Sequence, residues 1–308
     1  MISFRDPKNP SGIIWIASYP KSGNTWVRVF LHNLMQIQDG TPLADDDLAQ
    51  VARAAVSEAA LVPLFQEILG KPVSEATVEE IAAARPKVQE TVRVKTRGPA
   101  LLKTHNLFGT AFDIPIINAR ASVGAIYIVR NPLDIVLSLQ DHLGATLPEA
   151  ILAMESDNFA SLTEPRQVYE LWGSWSQNVE TWSQQPADRV LVVRYEDMLE
   201  NPVPTFLGIA RHIRQAPSKA DLALAVERAS FKRLNAQEQQ VGFSEKAPRG
   251  TAFFRVGRSG QWHDKLTEDQ IKRIVARHHK QMQRHGYLTE DLMRFVPVDA
   301  TAGSAVPH

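Results

Sequence analysis

Residues 12–34 read GIIWIASYPKSGNTWVRVFLHNL, and the change of period inside this stretch decides the fold. Ile13, Ile14, Trp15 and Ile16 form a short apolar run rich in β-branched residues, the pattern of a strand buried on both faces in a parallel sheet. The strand is expected to end near Ser18. Pro20 and Gly23 then interrupt the pattern, and from Trp26 apolar residues return at helical spacing through Val29, Phe30, Leu34 and Ile37. The loop between strand and helix carries Lys21, Ser22, Gly23, Asn24 and Thr25. A cation, hydroxyls and backbone N–H groups therefore meet at the positive end of a helix dipole, which suits a phosphate. The loop departs from the Walker pattern GxxxxGK[ST], because Lys21 precedes its only glycine, and this weakens a nucleoside-triphosphatase reading.

The composition sets outer bounds. With 308 residues and 44% hydrophobic content the chain can bury a sizeable core, and one large α/β domain over residues 1–295 is expected. The last residues, 296–308, read as a disordered tail. Lys+Arg and Asp+Glu both number 34, so no global field favours nucleic acid or an anionic surface, and an anion site must be local. The absence of cysteine removes disulfides, thiolate chemistry and cysteine-based metal sites. No leader-like or membrane-spanning run is legible, so a cytoplasmic protein without a membrane span is expected.

Further strands follow. Ala100, Leu101 and Leu102 lead into Lys103-Thr104-His105, which places a histidine where open α/β sheets bind ligands. A lone histidine is more often structural than catalytic. Gly124–Val129 is the clearest later strand and delivers Arg130, whose fork can hold a phosphate bidentately. Asn131 and Pro132 then suit the N-cap and first turn of a helix with Ile135, Val136 and Leu139 inward. Arg189–Tyr195 reads as another buried strand, and the alternation of strands and helices predicts a parallel sheet covered on both faces.

The rest reads mainly as helix. Residues 41–97 look like a helical insertion without a strand, with Leu48, Val51, Ala52 and Ala55 on one face and Ile81 in a helix that Pro86 should end. Residues 140–165 look irregular. Val168, Leu171, Trp172, Trp175, Val179 and Trp182 recur at helical spacing and read as core rather than as a ligand platform. Helices are expected at about 203–214 and 219–229, and another opened by Thr267 and Gln270 and ending before Gly286. His278, His279 and His285 lack metal-ligand spacing and are placed on its solvated face, and no metal site is expected.

SYPKSGNTW resembles the phosphosulfate-binding loop of the cytosolic-type sulfotransferases, which use 3′-phosphoadenosine 5′-phosphosulfate, PAPS, and release 3′,5′-adenosine bisphosphate. Five later segments match the family in order. KTH resembles the stretch that holds its general base, which makes His105 the expected base with Lys103 beside it. RNPxDxxxS implies that Arg130 and Ser138 bind the 3′-phosphate. YEDMLENP and Ser230-Phe231 imply adenosine contacts by Tyr195, Ser230 and Phe231, with Trp26 as the second wall of the purine slot. FRVGRSGQW resembles the RKGxxGxW loop that closes on the 3′-phosphate through Arg255 and Gly257, although Val256 replaces the usual lysine and Arg258 stands ready to restore its charge.

The resemblance implies a three-layer, P-loop nucleoside-triphosphate-hydrolase-like fold and transfer of a sulfuryl group to a hydroxyl or amine of a small-molecule acceptor. Lys21 and the N–H groups of residues 22–25 would stabilise the departing phosphate. The competing readings are a small-molecule kinase on a degenerate P-loop, which needs a carboxylate holding Mg²⁺ on a neighbouring strand end, and a non-catalytic nucleotide-binding relative. HDKLTEDQIK keeps only Thr267 of the family's KxxxTVxxxE dimer contact, which is therefore expected to be absent.

Overall fold

The structure is a computed structural model that describes residues 11–43, 55–241 and 257–298. Its centre is a five-stranded sheet in the order β2-β3-β1-β6-β7, formed by β1 (Gly12–Ser18), β2 (Val56–Ser57), β3 (Pro99–Thr104), β6 (Ser122–Val129) and β7 (Val190–Arg194). All four pairings are parallel. A separate hairpin of β4 (Thr110–Ala111) and β5 (Ile114–Pro115) follows β3. β1 lies between β3 and β6, so the chain fills one side of β1 and then crosses to the other. The carboxyl end of β1 is thus a topological switch point, where a crevice opens in sheets of this kind.

Strand periodicity explains the layers. Ile13, Trp15, Ala17 and Tyr19 enter one core with Tyr127 and Val129, under helices Pro132–Leu143, Trp175–Ser183 and Glu268–Arg284. Ile16, Ile126 and Ile128 enter the other, under helices Asn24–Gln38, Pro202–His212 and Lys219–Arg228. Alternate residues of one strand thereby bury on opposite faces, as the apolar run of β1 requires. The three-layer parallel architecture agrees with the expectation from sequence, and Asn131 caps its helix by accepting from Leu133 N at 3.0 Å.

Several expectations are corrected. The insertion contributes β2, a two-residue edge strand in register with Leu102 and Lys103, whereas no strand was expected there. Leu48, Val51 and Ala52 lie outside the described residues, as do 299–308 of the expected tail. Pro86 lies inside helix Val78–Lys95 rather than at its end. Tertiary partners on both sides of it hold the helix together: Arg85 pairs with Glu58, Gln89 donates to Ile116 O at 2.8 Å, and Pro86 O accepts from Asn118 Nδ2 at 3.0 Å.

Residues 140–165 contain helix Leu147–Glu155, opened by a Thr146–Glu149 capping box and burying Ile151 and Met154. Val168–Trp182 is not one helix. Ala160 bridges Leu171, Gly173 turns the chain at φ 64°, and Ser174 caps a helix that starts only at Trp175. The core reading survives, because Val168, Trp172, Trp175, Val179 and Trp182 are all buried. His278 is fully buried rather than solvated, with Nδ1 at 2.8 Å from Ser176 Oγ. His279 and His285 are half-buried. Among the described residues no helix is long and apolar enough to cross a membrane.

Candidate active site

Four strand ends converge at the switch point. β1 ends in Ser18 and runs into the Lys21–Thr25 loop, β3 ends before His105, β6 before Arg130, and β7 before Tyr195. Gly23 takes φ 101°, and a Cβ there would lie 2.6 Å from Tyr195 Cδ2, so only glycine lets the loop pass over that ring. Asn24 ties the loop back to its strand by donating to Ile16 O at 2.9 Å and Ser18 Oγ at 3.3 Å. The helix begins at Asn24, with Trp26 N and Val27 N donating back to Gly23 O at 3.0 and 3.5 Å, so the loop sits on the positive N-terminal end of the helix.

Arg130 joins the loop from below. It donates from Nη1 to Lys21 O at 3.1 Å, and its guanidinium carbon lies 4.3 Å from the Tyr195 ring centre. Ser22 Oγ, Asn24 Oδ1, Trp26 Nε1 and Arg130 Nε are buried and have no hydrogen-bond partner among the described residues. Buried polar atoms are nearly always matched, and the hydroxyl and guanidinium N–H groups here fit the oxygens of a bound anion. Ser138 sits half-buried on helix Pro132–Leu143. Trp26 meets Tyr195 and Phe206 edge-on, with ring centres 5.8 and 5.7 Å apart. Phe231 packs against the same cluster, one residue after Ser230, and begins the next helix.

His105 is oriented by β1. Its Nδ1 lies 2.8 Å from Ser18 O, a carbonyl that can only accept, so Nδ1 carries the proton and Nε2 is the basic nitrogen. Asn178 donates to His105 O at 3.0 Å, and Trp172 packs edge-on with ring centres 6.4 Å apart. Lys103 is half-buried one turn of strand away, facing Glu170.

Arg255 and Val256 lie outside the described residues. Gly257 is described, and a Cβ there would lie 2.4 Å from the Phe231 ring, so this loop reaches the residue expected to hold adenine. Asp134 anchors the rest of the loop by accepting from Gly260 N at 2.7 Å and Trp262 N at 3.2 Å. Glu196 closes the floor: burial pushes its carboxyl up, and it accepts from Tyr287 OH at 2.7 Å and Asn131 N at 3.2 Å.

The structure therefore brings Lys21, Ser22, Gly23, Asn24, Thr25, Arg130 and Tyr195 together around one loop, with Trp26 behind it and His105 on the neighbouring strand. Sequence reading missed Asp134, Trp172 and Glu170 as parts of this region. Asp134 is the acidic member of RNPxDxxxS and was legible there. Glu170 is a single carboxylate inside the apolar run Val168–Trp172, and the helical spacing of that run carries no sign of its contact with β3.

The Sulfotransferase domain family matches residues 12–286. Sulfotransferase 1A1 of Canis lupus familiaris is 27% identical over 278 residues, covering 88% of this chain and 83% of that protein. Cytosolic sulfotransferase 16 of Arabidopsis thaliana is 27% identical over 293 residues, covering 90% and 78%. The structure of mouse sulfotransferase SULT7A1 complexed with PAP superposes with a TM-score of 0.58 at 16% identity, covering 95% of this chain and 90% of that one. Retinol dehydratase in a complex with retinol and PAP gives 0.61 at 17% identity, covering 92% and 83%. These two share the fold. The family match spans the phosphate loop, both flanking strand ends and the closing Trp262 loop, and the chain belongs to the sulfotransferase domain family.

Proposed function

We propose that this protein transfers a sulfuryl group from PAPS to a hydroxyl or amine of a small-molecule acceptor, leaving 3′,5′-adenosine bisphosphate. The observation that carries the reading is the convergence of the Lys21 loop, the Arg130 guanidinium and a tautomer-fixed His105 on one crevice. PAPS supplies an activated sulfuryl group on a phosphate leaving group. Lys21 and the loop N–H groups meet the negative charge that develops at the 5′-phosphate, the role Mg²⁺ fills in a kinase. Arg130 and Ser138 hold the 3′-phosphate together with Arg255 and Gly257, and Trp26, Tyr195, Ser230 and Phe231 receive the adenosine. His105 Nε2 takes the acceptor proton as the acceptor attacks, with Lys103 beside it.

The kinase alternative needs a carboxylate on a strand end beside β1, where β3 and β6 instead deliver His105 and Arg130. The same reading takes residues 1–295 as one domain and the cytoplasm as its setting. Transfer of labelled sulfate from PAPS to pooled phenols, sterols, sugars and amines, run with chelator, tests it. Turnover should persist in chelator and fall about 10²–10³-fold in Lys21→Ala, the scale of removing one preorganised charge stabiliser. No transfer to any pool, or an undiminished Lys21→Ala, would overturn it.

A further inference from the structure

Glu170 is nearly sealed from water, with 5% of its surface exposed, yet it belongs to none of the family segments in the chain. Isolated buried carboxylates are costly unless charges or donors meet them. The end of β3 supplies both. Glu170 Oε1 accepts from His105 N at 2.7 Å and Thr104 Oγ1 at 3.4 Å, and Oε2 lies 3.8 Å from Lys103 Nζ. The backbone of Glu170 is fixed in turn. Its N–H donates to Ser161 Oγ and its carbonyl accepts from Ser161 N, both at 2.9 Å, while Arg85 Nη2 holds Tyr169 O and Asn106 Oδ1 holds Leu171 N at 2.7 Å.

The charge pattern around His105 gives this placement a chemical consequence. Lys103 stands on β3 two residues before His105, and Lys21 lies on the loop that follows Ser18, whose carbonyl His105 Nδ1 holds; like charges around a base that must gain a proton lower its basicity. On the side of Trp172, His142 stacks on the indole at 6.2 Å between ring centres and lies within reach of both lysine charges. Behind Glu170, the charge of Glu58 is matched by its ion pair with Arg85. Glu170 is the carboxylate that contacts both the His105 backbone and the Lys103 ammonium.

Resting on the sulfuryl-transfer reading, we propose that Glu170 is a positioning residue: its carboxylate fixes the backbone of His105, orients Lys103 and offsets the lysine charges so that the imidazole stays basic. Glu170→Gln keeps an acceptor for His105 N–H and removes the charge, whereas Glu170→Asp keeps the charge on a shorter arm.

Imidazole NMR titration reads the effect directly, with the His105 signal assigned by its loss in His105→Gln. In Glu170→Gln the His105 midpoint should fall by about one unit, a tenfold loss of proton affinity, with the proton still on Nδ1 and adenosine bisphosphate affinity unchanged. Glu170→Asp should restore most of it. Lys103→Met, which removes the opposing charge without touching Glu170, should raise the midpoint and carries the test should Glu170→Gln fail to fold. A midpoint unmoved in Glu170→Gln or Lys103→Met would overturn the proposal. Neither donor nor acceptor enters the titration, so that result would leave sulfuryl transfer standing.

Discussion

Replacing Gly23 by alanine tests whether the phosphate loop and the Tyr195–Arg130 floor form one unit. At φ 101° the added Cβ would stand 2.6 Å from Tyr195 Cδ2, 3.1 Å from Cε2 and 3.3 Å from Met198 Cε. The ring cannot swing aside cheaply. It is 7% exposed, carries the Arg130 guanidinium at 4.3 Å and meets Trp26 at 5.8 Å. The backbone conformation alone costs an L-residue about 1–2 kcal/mol, and the forced shift adds about 1–3 kcal/mol. A total of about 2–5 kcal/mol lowers Tm on the order of 5 °C for a chain of this size. Gly40→Ala is the control, because Gly40 also has positive φ, 65°, but nothing lies within 4 Å of its Cβ position. Scanning calorimetry should show Gly23→Ala clearly below Gly40→Ala, and titration should show at least about tenfold weaker adenosine bisphosphate binding in Gly23→Ala alone, about 1.4 kcal/mol. Equal melting of the two variants with unchanged nucleotide affinity would mean that the loop and the Tyr195–Arg130 floor are independent.

Two further outcomes follow from the geometry. Asp134→Ala removes the acceptor of both Gly260 N and Trp262 N, so thermal unfolding should show a loss of about 2–3 kcal/mol, and Asp134→Asn, which keeps one acceptor, a smaller one. Burial, with Arg277 beside it, lowers the His278 pKa from 6.5 to about 3, so the unfolded chain binds this proton more readily than the folded one. Stability contributed by neutral His278 is then full above about pH 6.5 and lost as pH falls toward about 3, at up to roughly 1.4 kcal/mol per pH unit; His278→Gln should flatten that slope in Tm measured against pH.

The parts of the fold that were legible share one property: a local pattern that only one structure satisfies. β1 alternates between two cores, so its continuous apolar run could only be a central strand. Asn131-Pro132 and Thr267–Gln270 state their helix starts in the backbone's own hydrogen-bonding terms. Where pattern and tertiary structure diverged, long-range contacts decided. Pro86 is carried inside a helix by partners from Glu58, Ile116 and Asn118, none of them near it in sequence. Val168–Trp182 has helical spacing, but a positive-φ glycine at 173 breaks it, and the extended half points Glu170 at the end of β3. His278 lies on a polar-looking helix, yet it is buried, with Trp175 against its ring and Ser176 Oγ at its Nδ1. The ligand loop at Lys21 was readable because its chemistry is local, whereas the support of His105 by Ser18, Asn178 and Glu170 comes from three distant segments.

Titration of PAPS and of adenosine 5′-phosphosulfate against wild type and Arg130→Ala shows whether the crevice binds its donor through a 3′-phosphate. Arg130 also holds Lys21 O and lies on Tyr195, so its loss should weaken both nucleotides somewhat, and the ratio of the two affinities is the readout. Each charge-assisted contact contributes about 1.5–3 kcal/mol, so wild type should favour PAPS at least about tenfold and Arg130→Ala should forfeit most of that preference. Equal affinities in wild type, or equal losses for both nucleotides in Arg130→Ala, would mean that Arg130 does not hold a 3′-phosphate.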